Sequence, residues 1–112
     1  MEDHYYVSLS LEACVDCIHA AVTGSVTGEL IDRYEVPHPK GGTCVVLVYE
    51  KHYWRAGNRL TLTVVLDDFA GKDVTEVHCA GGGGGEGLFR FDWGAAGSFE
   101  EAVHRALEAY RL

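Results

Sequence analysis

From Arg59 to Leu66 the chain alternates, with Leu60, Leu62, Val64 and Leu66 recurring on every second position. A period of two sends successive side chains to opposite faces of a strand, so this segment reads as a half-buried strand. Just before it lies Cys44 to Tyr53 (CVVLVYEKHY), β-rich and apolar in its first half, and Arg55-Ala56-Gly57-Asn58 supplies turn chemistry between the two. Two such runs around a short glycine-containing loop make a hairpin. A hairpin with one apolar face must bury that face, which limits the chain to folds where a sheet is covered by another layer.

The remaining segments supply more strands and the cover. His4 to Leu11 alternates, Tyr5, Val7, Leu9 and Leu11 on one side and Tyr6, Ser8 and Ser10 on the other. From Leu11 the period changes: Leu11, Cys14, Val15, Ile18, Ala21 and Val22 form one helical stripe. With Ser10 as N-cap and Gly24 as stop, a helix over residues 11–23 is expected. Thr27 to Val36 is extended and residues 37–42 (PHPKGG) form a loop. Asp67 to Lys72 reads as a turn, Val74 to Ala80 as a strand, and Phe89, Phe91 and Trp93 alternate with Arg90 and Asp92 as a further strand. Ser98 followed by Glu101 is a capping box. It opens a second helix over residues 98–111, with Phe99, Ala102, Val103, Ala106, Leu107 and Tyr110 as its apolar stripe.

Strand, helix, four or five strands, helix is the order of an α+β two-layer sandwich: a mostly antiparallel sheet of five or six strands with both helices on one face. In layout it resembles the helix-grip and TATA-binding-protein-like arrangements. At 112 residues the chain is one domain, residues 1–112, able to bury roughly 65% of its unfolded surface. With 9 Lys+Arg against 17 Asp+Glu, the net charge of −8 repels nucleic-acid phosphates and anionic lipid heads, so neither nucleic acid nor membrane is an expected partner. No apolar run approaches the roughly 20 residues that span a bilayer. The opening MEDHYY lacks the chemistry of a secretory signal, and four cysteines then belong in a reducing cytosol as thiols.

Four stretches invite a chemical reading. The glycine run Gly81 to Gly85, with Gly87 after it, lacks the Lys-Ser/Thr of a phosphate loop and has Glu86 in its place. A G-x-G-x-x-G spacing fits Gly82, Gly84 and Gly87, but an aromatic strand follows where a dinucleotide site needs a helix. Gly81 to Gly87 is therefore expected to be a mobile connection between two strands. Cys14-Val15-Asp16-Cys17 has the spacing of a redox pair or half a zinc site, yet Cys14 lies in the apolar stripe and Glu12 and Asp16 flank the pair. It reads as hydrophobic filler, and neither metal nor cofactor is expected. Tyr53, Trp54, Arg55 and Arg59 join Lys51 and His52 in a basic, aromatic hairpin tip, a partner patch or a cover for the open end of the core. Finally His78, Glu86, Arg90, Asp92 and Trp93 lie close along the chain and are the candidate ligand-binding residues.

The ending GGGGGEGLFRFDWGAAGSFEEA resembles that of a family of small uncharacterised bacterial proteins, a domain of unknown function. There too a glycine cluster precedes an FDWG segment and a final helix. VYEKHYWRAGNRLTLTVVL is similar to the hairpin of that family. The resemblance implies a fold and carries no activity.

The function expected is a non-catalytic binding module for a small, partly apolar ligand or a protein partner, with its cleft between sheet and C-terminal helix. One alternative is an enzyme using His78 with Glu86 and Asp92 as acid and base. Another is a structural protein, a homodimer, that pairs its open sheet face with a copy of itself.

Overall fold

The computed structural model describes residues 4–25, 27–53, 58–83 and 99–112. They form strand β1 (His4–Val7), helix α1 (Leu11–Ser25), strands β2 (Glu29–Pro37), β3 (Thr43–Tyr53), β4 (Asn58–Gly71) and β5 (Val74–Gly83), and helix α2 over residues 99–107. The five strands make one sheet in the order β1-β5-β4-β3-β2, every neighbouring pair antiparallel. β2 to β5 is a meander, and α1 carries the chain across the sheet from one edge strand to the other. The fold is α+β with both helices packed on one face of the sheet.

The register sets which face that is. Val45 stands opposite Leu66 and Leu66 opposite Val77, while Leu47 stands opposite Val64 and Val64 opposite Cys79. All six are buried, together with Tyr5 and Val7 of β1, Tyr49 of β3, and Leu60 and Leu62 of β4. Cys14, Val15, Ile18 and Val22 of α1 and Phe99, Val103 and Leu107 of α2 close over them in a single cluster. Cys14, Val15, Ile18 and Val22 of the stripe expected for α1 are thus buried while Leu11 and Ala21 stay half-buried, and Ser10 caps the helix: its hydroxyl accepts from the Ala13 amide at 3.2 Å. Thr75, a buried polar side chain, donates to the Leu9 carbonyl at 2.8 Å.

Several boundaries differ from expectation. β1 ends at Val7, and residues 8–9 bend toward α1. β4 does not turn at Asp67 but continues to Gly71 through a bulge between Asp67 and Gly71, leaving Lys72 and Asp73 as the turn. α2 ends at residue 107. A single 3-10 turn (Glu108–Tyr110) then swings the chain back, so Tyr110 is exposed where a longer helix would have buried it. This return covers the β1 edge: Ser8 N–H donates to the Tyr110 carbonyl at 2.8 Å and Leu112 N–H to the Tyr6 carbonyl at 2.9 Å, flanking an antiparallel bridge between Val7 and Arg111.

The glycine run is the largest correction. Gly81, Gly82 and Gly83 are not part of a mobile connection; they prolong β5, opposite Leu62, Thr61 and Leu60. Gly81 shares the helix-facing side with Cys79, and its bare backbone admits the Glu100 carboxylate, which accepts the Gly81 N–H at 2.8 Å. The remainder of the run, the expected strand Phe89 to Trp93, and Ser98 of the capping box lie outside the described residues.

Gly28 is a second close approach. A Cβ there would meet Phe99 Cε1 and Val22 Cγ1, both at 2.8 Å. The Phe99 ring is fully buried and has no free direction to move, so Gly28→Ala is expected to cost about 1–3 kcal/mol through overpacking. A thermal melt should fall by several degrees; an unchanged melt would show the ring free to yield.

Candidate functional site

Helix α1 does not cover the whole inner face. Its first two turns stand off the β2–β3 side of the sheet and leave an open cleft of about 310 Å³, lined by Ser10, Leu11, Glu12, Val15, Arg33, Glu35, Thr43, Val45, Asp68 and Lys72. Leu11 and Val15 come from the α1 stripe and Val45 from the inner row of β3, so part of the lining is apolar, while its larger exposed share is polar. Arg33 and Glu35 come from β2, where positions two apart share a face. Opposite Leu47 and Val45, both face the helix side.

The end wall is built by loops that hold one another. Gly42, at φ +89°, lies in the left-handed region, and a Cβ there would stand 2.7 Å from the Phe69 ring. This is a conformation and an approach that favour glycine. The β2–β3 loop is tied by the His38 amide to the Gly42 carbonyl at 2.9 Å and by the Lys40 amide to His38 Nδ1 at 3.0 Å. Asp68 on the β4 bulge accepts from the Thr43 amide at 2.7 Å, pinning β4 to the start of β3.

Electrostatically the cleft is mixed, two cations against three carboxylates. Arg33 donates from Nη2 at 2.7 Å and from Nε at 3.1 Å to one oxygen of Glu35. The Asp68 oxygen is committed to Thr43, and the Ser10 hydroxyl to the helix cap. Among the described residues the lining holds neither histidine nor cysteine.

Histidines meet tyrosines elsewhere. The Tyr5 hydroxyl and His104 Nδ1 lie 2.7 Å apart, and the Tyr49 hydroxyl and His19 Nδ1 3.1 Å apart, so each helix lends one histidine to one core tyrosine. Burial raises both phenols, Tyr49 to about 12 and Tyr5 further still. Held in the neutral form, they serve as anchors between layers. The thiols are likewise raised, Cys14 and Cys79 to about 12, chiefly by burial. All four cysteines are free, and Cys17 Sγ contacts the Ala106 carbonyl at 3.5 Å, between the helices. Among the described residues no cluster of His, Cys, Asp and Glu has the arrangement to hold a metal ion.

Of the residues singled out in the sequence, His78 stands exposed on the outer face, beside His4 of β1 and Val65 of β4, and points away from both helices. It does not face a sheet–helix cleft. Glu86, Arg90, Asp92 and Trp93 lie outside the described residues, as do Trp54 and Arg55 and the side chain of Tyr53. Arg59 lies on the outer face, opposite His52, its Nε 3.4 Å from Glu50 Oε2. The cleft residues were not singled out: they come from five separate stretches, and no local pattern joins them.

Fold and cleft define a small two-layer α+β domain with an antiparallel sheet half roofed by its first helix. The chain belongs to a family of unknown function (DUF6054), whose family model matches residues 3–111. No curated protein and no solved structure gives a significant match. Among the described residues no helix is long and apolar enough to cross a membrane.

Proposed function

We propose that this chain is a cytosolic, non-catalytic binding module whose ligand is a small, partly apolar molecule seated in the cleft under α1. The cleft carries the reading: about 310 Å³, with Leu11, Val15 and Val45 as floor and Arg33, Lys72, Thr43 and Glu12 at the rim. That volume lies at the lower end of the range of small-molecule sites, and a mixed rim suits a ligand with both donor and acceptor groups. Four free thiols, two of them buried, accord with a reducing compartment.

Fragment screening by two-dimensional amide NMR tests this. Small amphipathic fragments should move the amides of Leu11, Val15, Arg33 and Thr43. Leu11→Trp, which fills the cleft from a half-buried position, should remove those shifts while the protein stays folded. Shifts confined to the outer sheet face, or undiminished by Leu11→Trp, would refute the assignment.

A further inference from the structure

The two edges of the sheet are treated differently. At β1 the chain covers its own edge through residues 110–112, by the hydrogen bonds around Val7 and Arg111. At the other edge, β2 is nine residues long and has no further strand beside it among the described residues. Its side chains are almost all exposed, including Ile31 at 51%, Tyr34 at 61% and Val36 at 41%. A strand edge of this length presents a row of backbone donors and acceptors to any chain that can match it.

We propose that β2 pairs antiparallel with β2 of a second copy about a two-fold axis through Tyr34, joining two five-stranded sheets into one of ten strands. Charge selects the register. Such an axis stands perpendicular to the sheet, so inner-face residues meet inner-face residues and the axis passes through a residue of β2. Centred on Arg33 or on Glu35 it would set like charges directly opposite, which is destabilising. Centred on Tyr34 it sets Arg33 opposite Glu35 of the second copy, twice. Within one chain these side chains already meet at 2.7 Å and keep 38% and 51% of their surface exposed, so the dimer completes a ring of four alternating charges. On the other face Tyr34 meets its own counterpart. Pairing stops naturally on both sides, at Pro37, which has no N–H to donate, and at the β2 bulge between Leu30 and Asp32. The contact is isologous and closes on itself, giving a dimer and not a fibre. Five or so residues from each chain bury less than the roughly 1,200 Å² of a standard interface, so the dimer is weak and concentration-dependent.

Because Arg33 and Glu35 also line the cleft, the second copy's Glu35 completes the rim of each cleft from across the axis. The association itself does not depend on any ligand, and its readout is mass alone.

Sedimentation equilibrium over concentrations up to about 1 mM tests the proposal. The wild-type chain should pass reversibly from monomer to dimer. Arg33→Glu and Glu35→Arg should each weaken association at least roughly tenfold, by facing like charges across the axis. Mixed one to one, the same two variants should regain a heterodimer, since every pair across the axis is then opposite in sign. A wild-type chain that stays monomeric throughout, single variants that associate as well as wild type, or a mixture that fails to recover would each overturn the proposal.

Discussion

Phe99→Ala is expected to lower the unfolding free energy by about 3–5 kcal/mol, the range for large buried aromatics. That is a large share of the roughly 5–15 kcal/mol that holds a small domain together. Phe99 of α2 is 1% exposed and packs so close to Gly28, where α1 gives way to β2, that a Cβ there would meet its ring. Removing the ring unseats one helix from the other as well as from the sheet. Urea titration reads the loss directly, and a change below about 1 kcal/mol would show that α2 is not held by this residue. The two sites should couple: in a Phe99→Leu background Gly28→Ala should cost less than in the wild type, because the methyl then has room.

Alkaline pH should unfold the protein by a route written in its thiols. Cys14 and Cys79 rise from the usual 9.0 to about 12, chiefly by burial, with Cys17 adding at Cys14 and Glu100 at Cys79. In the unfolded chain these thiols ionise near pH 9; in the folded one they keep their protons. Above pH 9 the folded state therefore binds more protons than the unfolded state, and stability falls as pH rises. The contribution is fully present below pH 9 and is lost by about pH 12, and each thiol's rise corresponds to at most roughly 4 kcal/mol. Tyr49, raised to about 12 by burial, steepens the upper part of the fall. Urea midpoints taken from pH 8 to about 11 should decline, and Cys14→Ala with Cys79→Ala should flatten the decline. An equally steep fall in that double variant would place the cause elsewhere.

The parts of this fold legible in the sequence are those where a side chain reports its own face. Leu60, Leu62, Val64 and Leu66, and Cys14, Val15, Ile18 and Val22 of the α1 stripe, declared their burial by period and are buried; Leu11 and Ala21 of that stripe stay half-buried. Gly81, Gly82 and Gly83 carry no side chain to alternate, so their place in β5 left no trace in the pattern. Asp67 and Asp68 mimic a turn because a bulge breaks the alternation just where Asp68 reaches for the Thr43 amide. The early end of α2 was hidden for another reason: residues 108–111 continue the helical pattern, but Glu108–Tyr110 tighten into a 3-10 turn and Arg111 bridges to a strand a hundred positions away. The cleft was the least legible. Its lining is assembled by the sheet register and by the angle at which α1 crosses, neither of which any short window of sequence contains.

The bridge between Val7 and Arg111 also bears on how the chain comes to be folded. The meander from β2 to β5 pairs only near neighbours and can form as soon as it is made. β1, by contrast, must wait for its inner partner β5 and then for residues 110–112 on its outer side. A chain emerging from the ribosome thus carries an unfinished edge strand until residues 110–112 have cleared the exit tunnel. Loop-closure entropy makes so distant a contact a late one, and the interval before it forms is when a nascent copy is most open to mispairing with its neighbours.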